Sequence, residues 1–204
     1  MREHGWTYLA NAHRLDFETT GVLLLAKNKP ALVNLANQFG AESVSKTYVA
    51  LVHGAPKEDR FSSAKSIAAH PFKTGLMRVD MKLGKKSHTD FEVMERFKGF
   101  TLMRCLPKTG RTHQIRVHLE DLGHPIVADG VYGGQPLYLS NLKSSYRLKG
   151  KRTERALTPR LALHAERLSV KQPSTGMTVE IADPIPKDLM VAIKYLRRYA
   201  VLWR

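Results

Sequence analysis

Two strand-like runs joined by a short turn constrain the fold of this chain most strongly. Residues 87–97 alternate in character, and Phe91, Val93 and Phe97 are predicted to share one face of a half-buried strand. A Lys98-Gly99 pair separates this run from a second apolar run over residues 99–107. Since two such runs with a glycine turn between them are typical of a β-hairpin, we expect an antiparallel pair in the middle of the chain.

The remaining segments extend this sheet and add a few helices. Strands are predicted at 21–27 and 44–54 and on both sides of a Ser174-Thr175-Gly176 turn, and helices at 29–39, 110–125 and 186–201. Several strands and few helices in mixed order indicate an α+β fold. We expect a mixed, mainly antiparallel sheet with flanking helices, in one domain over residues 1–204.

The charge balance favours a polyanion partner. Thirty-three Lys and Arg face 18 Asp and Glu, which gives a formal charge of +15, and such a surplus suits the phosphates of a nucleic acid. No apolar run approaches the roughly 20 residues of a membrane span, and no secretory leader is recognisable at the start. We therefore expect a cytoplasmic monomer with no membrane partner. The long basic segment 134–160 is predicted to be a loop insertion that contacts this nucleic-acid partner through Lys149, Lys151 and Arg152.

Asp16 is one of two acids, with Glu18, in the stretch "AHRLDFETTG", residues 12–21. A carboxylate in such a place can serve as a nucleophile, a general base, a metal ligand or half of an ion pair. It can also be a helix cap or turn residue with no chemical role. Arg14, two residues earlier, can neutralise the carboxylate or meet a phosphate.

A second cluster of chemically active side chains lies in "KTGRTHQIRVHL", residues 108–119. An arginine that turns inward there requires a carboxylate, because an unpaired buried charge is very costly. Asp16 is the candidate partner. His113 and His118 lack the spacing and third ligand of a metal site, so no metal is expected. Tyr48 lies in an apolar strand and is either a core residue or a stacking surface for a base.

Four segments, in chain order, resemble the RluA-type family of pseudouridine synthases: "HRLDFETTG" (13–21), "KTYVALVHG" (46–54), "TGRTHQIRVHL" (109–119) and "HPIVADGVYGG" (124–134). Family members isomerise particular uridines in structured RNA to pseudouridine without a cofactor or metal. They share a mixed, mainly antiparallel sheet with a central RNA-binding cleft. The resemblance therefore implies structured RNA, ribosomal or transfer RNA, as the partner.

The resemblance also assigns roles to individual residues. It implies that Asp16 is the catalytic aspartate, that Tyr48 packs on the uracil and assists proton removal, and that Arg116 pairs with Asp16. It implies RNA contacts by Arg14, which enters the base stack when the uridine flips out, and by Arg111 and His113. Ile115 is expected to form a wall of the base pocket.

Several alternatives stay open from the sequence. The carboxylate can act covalently or through a glycal-type intermediate. A non-catalytic RNA-binding module of the same fold is the alternative function, and a phosphodiesterase using His113 and His118 is a third. Family members usually carry an earlier strand with an Asn-Lys-Pro motif, often after an S4-like domain. This chain begins 15 residues before Asp16, so we expect it to lack both, leaving a sheet edge open.

Overall fold

The structure, a computed structural model, describes residues 5–148 and 153–202. Its strands are β1 (Ala10–Asn11), β2 (Thr20–Gly21), β3 (Leu25–Ala26), β4 (Ser45–His53), β5 (Arg60–Ser63), β6 (Ile67–Ala69), β7 (Met77–Val79), β8 (Thr89–Phe97), β9 (Phe100–Pro107), β10 (Leu163–Lys171) and β11 (Thr178–Ala182). Its helices are α1 (Lys29–Gly40), α2 (Gln114–Asp121), α3 (Leu139–Leu142) and α4 (Lys187–Tyr199).

The main sheet has the strand order β11-β10-β4-β9-β8-β5, and every pair along this path is antiparallel. Strand β2 adds a short parallel pairing to β10. The predicted mixed, mainly antiparallel α+β fold is confirmed. In the described parts of the chain, no helix has both the length and the apolar character needed to cross a bilayer.

Strand β4 is the centre of the larger core. Residues 49–52 are fully buried, which shows that both faces of this strand are covered. Apolar residues of α2 and α4 pack into the same cluster, among them Leu119 and Leu196. A second cluster joins Leu35 of α1 to Val22 and to Leu168 of β10. Leu32 and Phe39 pack against the same cluster, so α1 buries one face.

The central hairpin forms where the sequence predicted it, but one side chain lies on the other face. Phe91 pairs across the hairpin with Cys105, and Phe97 pairs with Phe100. Since residues 105 and 100 lie on opposite faces of β9, the two phenylalanines do as well. The cause is a register shift between Val93 and Glu95, where one extra residue reverses the alternation. The prediction of a shared face for Phe97 was wrong.

The predicted strand 21–27 is split into two short strands. β2 pairs with β10, whereas β3 pairs with β1, so the chain leaves one sheet and joins another within a few residues. Gly21 has φ +115°, and a Cβ at this position would lie 2.2 Å from the Ala165 carbonyl oxygen. Only glycine can approach β10 this closely.

Two further boundaries differ from the prediction. The helix expected over 110–125 begins only at Gln114, because His113 has the left-handed φ of 54° and cannot continue a right-handed helix. The segment 134–160, predicted to be a loop, contains α3, and Leu137 just before it is buried in the main core. The predicted RNA-contacting residues Lys149, Lys151 and Arg152 lie outside the described residues.

Candidate active site

A cleft of about 260 Å³ gathers five of the ten predicted site residues. Its lining includes Arg14, Asp16, Lys46, Tyr48, Arg111 and Ile115. Here it is called the Asp16 cleft. These side chains come from the loop before β2, from β4, and from the segment around the start of α2. Three segments that are distant in the sequence therefore meet at one place, as the hypothesis of an RNA-modifying site requires.

The loop that carries Asp16, residues 13–19, is anchored to the main sheet. The Thr19 N–H donates to the Asp16 carbonyl at 3.1 Å, which closes a turn with Glu18 at a φ of 67°. Immediately after it, Thr20 Oγ1 lies 2.9 Å from His164 Nδ1 on β10. The backbone of Asp16 thus has the turn role considered from the sequence. Its side chain lines the Asp16 cleft.

The Asp16 carboxylate has no partner in the part of the chain that the structure describes. Over residues 5–148 and 153–202, it makes no hydrogen bond and no ion pair. Cationic groups of Arg14, Lys46 and Arg111 line the same cleft. The carboxylate is therefore available to a ligand while cations surround it.

Tyr48 faces the same cleft from β4. Burial and, to a smaller extent, the negative charge of Asp16 raise its pKa to about 12. The phenol is therefore protonated at neutral pH and can donate a hydrogen bond. Asp16 contributes to this shift, and both residues line the Asp16 cleft.

Arg116 has a different partner from the one predicted. Its Nε and Nη2 donate to the Asp129 carboxylate at 2.7 and 2.8 Å, and the side chains are 7% and 1% exposed. The expected direct ion pair between Arg116 and Asp16 is absent from the described residues, and that prediction was wrong. A buried arginine did require a carboxylate, but the Asp129 loop supplies it. The Tyr132 N–H donates to Asp129 Oδ1 at 3.3 Å, which helps to fix the acid beside α2.

Asp16 nevertheless contributes to the pKa of Arg116 through its charge, without pairing with it. Burial alone would lower the pKa of Arg116, but the hydrogen bond and charge of Asp129, with a smaller contribution from Asp16, raise it. The guanidinium also lies over the Tyr132 ring, 4.8 Å from its centroid. Arg116 is thus a fixed positive charge behind the Asp16 cleft.

His113 belongs to the same buried network. Its Nδ1 lies 2.8 Å from the Tyr132 hydroxyl, which accepts a hydrogen bond from the Met77 N–H at 3.0 Å. Burial lowers the pKa of His113, although Asp16 partly opposes the effect, so the imidazole is neutral at pH 7. This position does not test the predicted RNA contact.

Arg111 lies at the edge of the cleft and is held by the loop before α2. The buried side chain of Gln114 accepts from the Arg111 N–H at 3.0 Å and from the Thr109 hydroxyl at 2.6 Å. The Arg111 guanidinium donates to the Lys86 carbonyl and pairs with Glu42 at 3.0 Å. An RNA phosphate that reaches Arg111 would compete with Glu42.

Sequence reasoning missed Lys46 and Asp129. Lys46 lies two residues before Tyr48, and the period of a strand puts both on one face, so this signal was present. Its Nζ donates to the Thr109 carbonyl at 2.7 Å, and burial lowers its pKa. Asp129 lies inside the quoted segment 124–134, but nothing in its spacing indicated that it would pair with Arg116.

A larger groove lies elsewhere and does not contain the predicted residues. It has a volume of about 850 Å³ and is lined by residues of β8 together with Asp59, Arg104 and Arg197. This is called the β8 groove below. Its arginines are already paired, for example Arg197 with Glu95 at 2.8 Å and Arg104 with Glu92 at 3.2 Å. We therefore place the candidate site in the smaller cleft.

Comparison with known proteins decides the family. A sequence model of RNA pseudouridylate synthases matches residues 1–121, more than half of the chain. The chain belongs to the RNA pseudouridylate synthase family. This confirms the resemblance drawn from the four sequence segments, and the matched residues include Asp16, Tyr48 and Arg116.

Named relatives of the chain agree with this family assignment. A ribosomal large subunit pseudouridine synthase D from Nitrosomonas europaea is 38% identical over 185 residues, which is 91% of this chain and 50% of the relative. A ribosomal large subunit pseudouridine synthase C from Salmonella typhi is 37% identical, over 95% of this chain and 58% of the relative. The chain thus spans about half the length of these relatives.

Solved structures show the same fold. The human RNA pseudouridylate synthase domain containing 1 protein matches with a TM-score of 0.67 and 28% identity, over 93% of this chain and 80% of that one. The human domain containing 4 protein matches with a TM-score of 0.72 and 24% identity, over 93% and 76% of the two chains. The second likeness supports the fold alone. Together they confirm the pseudouridine synthase architecture.

Proposed function

We propose that this chain isomerises uridine to pseudouridine in structured RNA, with Asp16 as the catalytic carboxylate. The observation that carries the proposal is the Asp16 carboxylate, which has no partner among the described residues and shares a cleft with Tyr48 and three cationic side chains. Its place in the family-matched segment 1–121 supports the same role. The alternative is an RNA-binding module without turnover.

The reaction needs one carboxylate because substrate and product are isomers. The bond from N1 of uracil to C1′ breaks, the base turns, and C5 bonds to C1′. The C5 proton then leaves to solvent and N1 takes up a proton, so the atoms balance. Asp16 can bond C1′ transiently or steer a glycal intermediate, and both routes balance. Deuterium at C2′ separates them, because only the glycal route breaks that C–H bond.

Tyr48 has a narrower role than the resemblance implies. A phenol with a pKa of about 12 is a poor base near neutral pH. We propose that its ring packs against the uracil and that its hydroxyl donates a hydrogen bond. Ile115 lines the same cleft and would form an apolar wall beside the base.

The cations would bring the RNA to Asp16 and stabilise its altered conformation. Extruding a uridine from its stack costs about a few kcal/mol. Arg14 is exposed beside the cleft and would enter the space that the base leaves. Arg111, together with Lys149, Lys151 and Arg152 of the basic segment, would bind phosphates. His113 is proposed to support the RNA-binding face through Tyr132.

Ribosomal RNA is the proposed substrate, because the relatives from N. europaea and S. typhi are named for the ribosomal large subunit. Transfer RNA is the alternative substrate. We propose a monomer as the active unit. We propose that it acts in the cytoplasm, where its RNA is found, without a cofactor.

The test is the release of tritium from RNA. Large-subunit ribosomal RNA and a transfer RNA pool, each transcribed with 5-tritiated uridine, are incubated with the protein. Release without strand scission supports isomerisation, and the RNA that reacts identifies the substrate class. Binding without release would support the non-catalytic module. Scission would support the phosphodiesterase considered from the sequence.

A further inference from the structure

The residue that follows Asp16 is an exposed aromatic with no assigned role. Phe17 is 86% exposed, although a phenyl ring gains free energy when it leaves water. Single exposed apolar residues are common and need no explanation by themselves. Phe17 differs because of where it lies and how it is held.

The turn that carries Phe17 is fixed at both ends. The Thr19 N–H bonds the Asp16 carbonyl at 3.1 Å across the turn. Beyond it, the Val22 N–H donates to the Ala165 carbonyl at 3.0 Å, so the loop is attached to β10. The backbone under Phe17 is therefore ordered before any ligand arrives, which reduces the entropy lost on binding.

The surroundings of Phe17 combine several cations with the carboxylates of Asp16 and the exposed Glu18. Arg14 is exposed on the same loop, and Lys46 and Arg111 line the adjacent cleft. Cations interleaved with an exposed aromatic ring are the pattern by which proteins hold single-stranded nucleic acid, since any base can stack on the ring.

We propose that Phe17 stacks on the base next to the target uridine in the RNA. The inference rests on the proposed function. When a uridine enters the cleft and reaches Asp16, its neighbour loses a stacking partner and presents its π face beside the turn. Phe17 offers a replacement surface there, while Arg14 fills the space in the helical stack. Phe17 is thus a substrate-binding residue that favours uridines whose neighbouring base can be unstacked.

The first experiment measures RNA affinity, which needs no turnover. The probe is a fluorescein-labelled RNA hairpin with a seven-adenine loop in which the central adenine is replaced by uridine. Phe17→Ala should weaken binding about 5- to 100-fold, the usual range for loss of one base–aromatic stack. Phe17→Trp should keep or improve it.

The matched control is Met190→Ala, which truncates a similarly exposed apolar side chain, 57% exposed, on α4. It should leave RNA affinity unchanged. Neither truncation removes a buried side chain, so both variants should retain the wild-type melting temperature.

The second experiment identifies the stacked base. Each loop adenine beside the uridine is replaced in turn by an abasic nucleotide. With one of these two probes, Phe17→Ala should change the affinity less than twofold, because the stacking partner is already gone.

Two outcomes would overturn the inference: wild-type affinity for Phe17→Ala on the intact hairpin, or an equal loss on all three probes. Failure of the proposed function is a separate result. It would appear as no tritium release by the wild-type protein, while the affinity pattern still decides the role of Phe17.

Discussion

The Asp16 cleft and the β8 groove differ in whether their charged side chains already have partners. The groove is the larger and contains several arginines, yet acids such as Glu95 and Glu92 already neutralise them. The cleft is about a third of that volume, but its carboxylate has no partner in the described parts of the chain. Unsatisfied charge, rather than volume, marks the place where a ligand can gain the most.

The largest expected effect comes from a substitution of Asp16 in the cleft. Asp16→Asn should lower the single-turnover rate of tritium release by at least about a thousandfold, because the amide can neither bond C1′ nor steer the intermediate. RNA affinity should stay within about threefold, since the amide keeps the shape. Glu95→Gln in the β8 groove is the matched control and should keep the wild-type rate. Normal release by Asp16→Asn would remove this residue from the mechanism.

The next prediction compares a buried ion pair with an exposed one. Asp129→Asn leaves the Arg116 charge buried without a partner and should lower the free energy of unfolding by about 3–5 kcal/mol. Glu95→Gln breaks the Arg197 pair, whose side chains are 60% and 32% exposed, and should cost at most about 1 kcal/mol. Urea denaturation measures both. Equal losses would mean that the Arg116–Asp129 pair is not the buried interaction described above.

A third prediction concerns the protonation of Tyr48. Its folded pKa of about 12 exceeds the ordinary value of 10.0, so the folded state favours the protonated phenol. This stabilisation is complete below pH 10 and is lost as the pH rises towards 12, with a total of roughly 3 kcal/mol. Tyr48→Phe, which cannot ionise, should therefore lose less stability over that interval. Parallel unfolding curves for the two proteins from pH 9 to 12 would contradict the prediction.

The smallest effect concerns the basic segment. Replacing Lys149, Lys151 and Arg152 by Gln should weaken RNA binding and reduce the slope of log affinity against log salt by about one for each phosphate that the variant no longer binds. Arg104→Gln and Arg197→Gln in the β8 groove should change neither quantity, because Glu92 and Glu95 already neutralise these arginines. An unchanged slope in the triple variant would show that this segment does not touch phosphates.

Periodicity and turn residues in the sequence predicted much of the fold. The rest depends on how distant strands pair. The hairpin turn at Lys98-Gly99 and the face of α1 follow from period and glycine placement, which are properties of neighbouring residues. The bulge that turns Phe97 to the other face depends on how β8 pairs with β9. The alternation of residues within one strand does not predict its register with a neighbouring strand.

The candidate site was likewise predictable from the sequence only in part. Asp16, Tyr48 and the Arg111 segment were gathered correctly through family motifs. The sequence also required an acid for an inward arginine, because burial of an unpaired charge is costly wherever it occurs. It could not choose between Asp16 and Asp129, since that choice depends on which loop folds beside α2.

The close approach of Gly21 to the Ala165 carbonyl determines which molecule must move during recognition. A loop that sits on a strand edge with no room for one methyl group has little freedom to swing towards its substrate. Under the proposed function, the adjustment therefore falls to the nucleic acid, and we expect a uridine in a flexible bend or loop to be reached more readily than one in a stiff duplex.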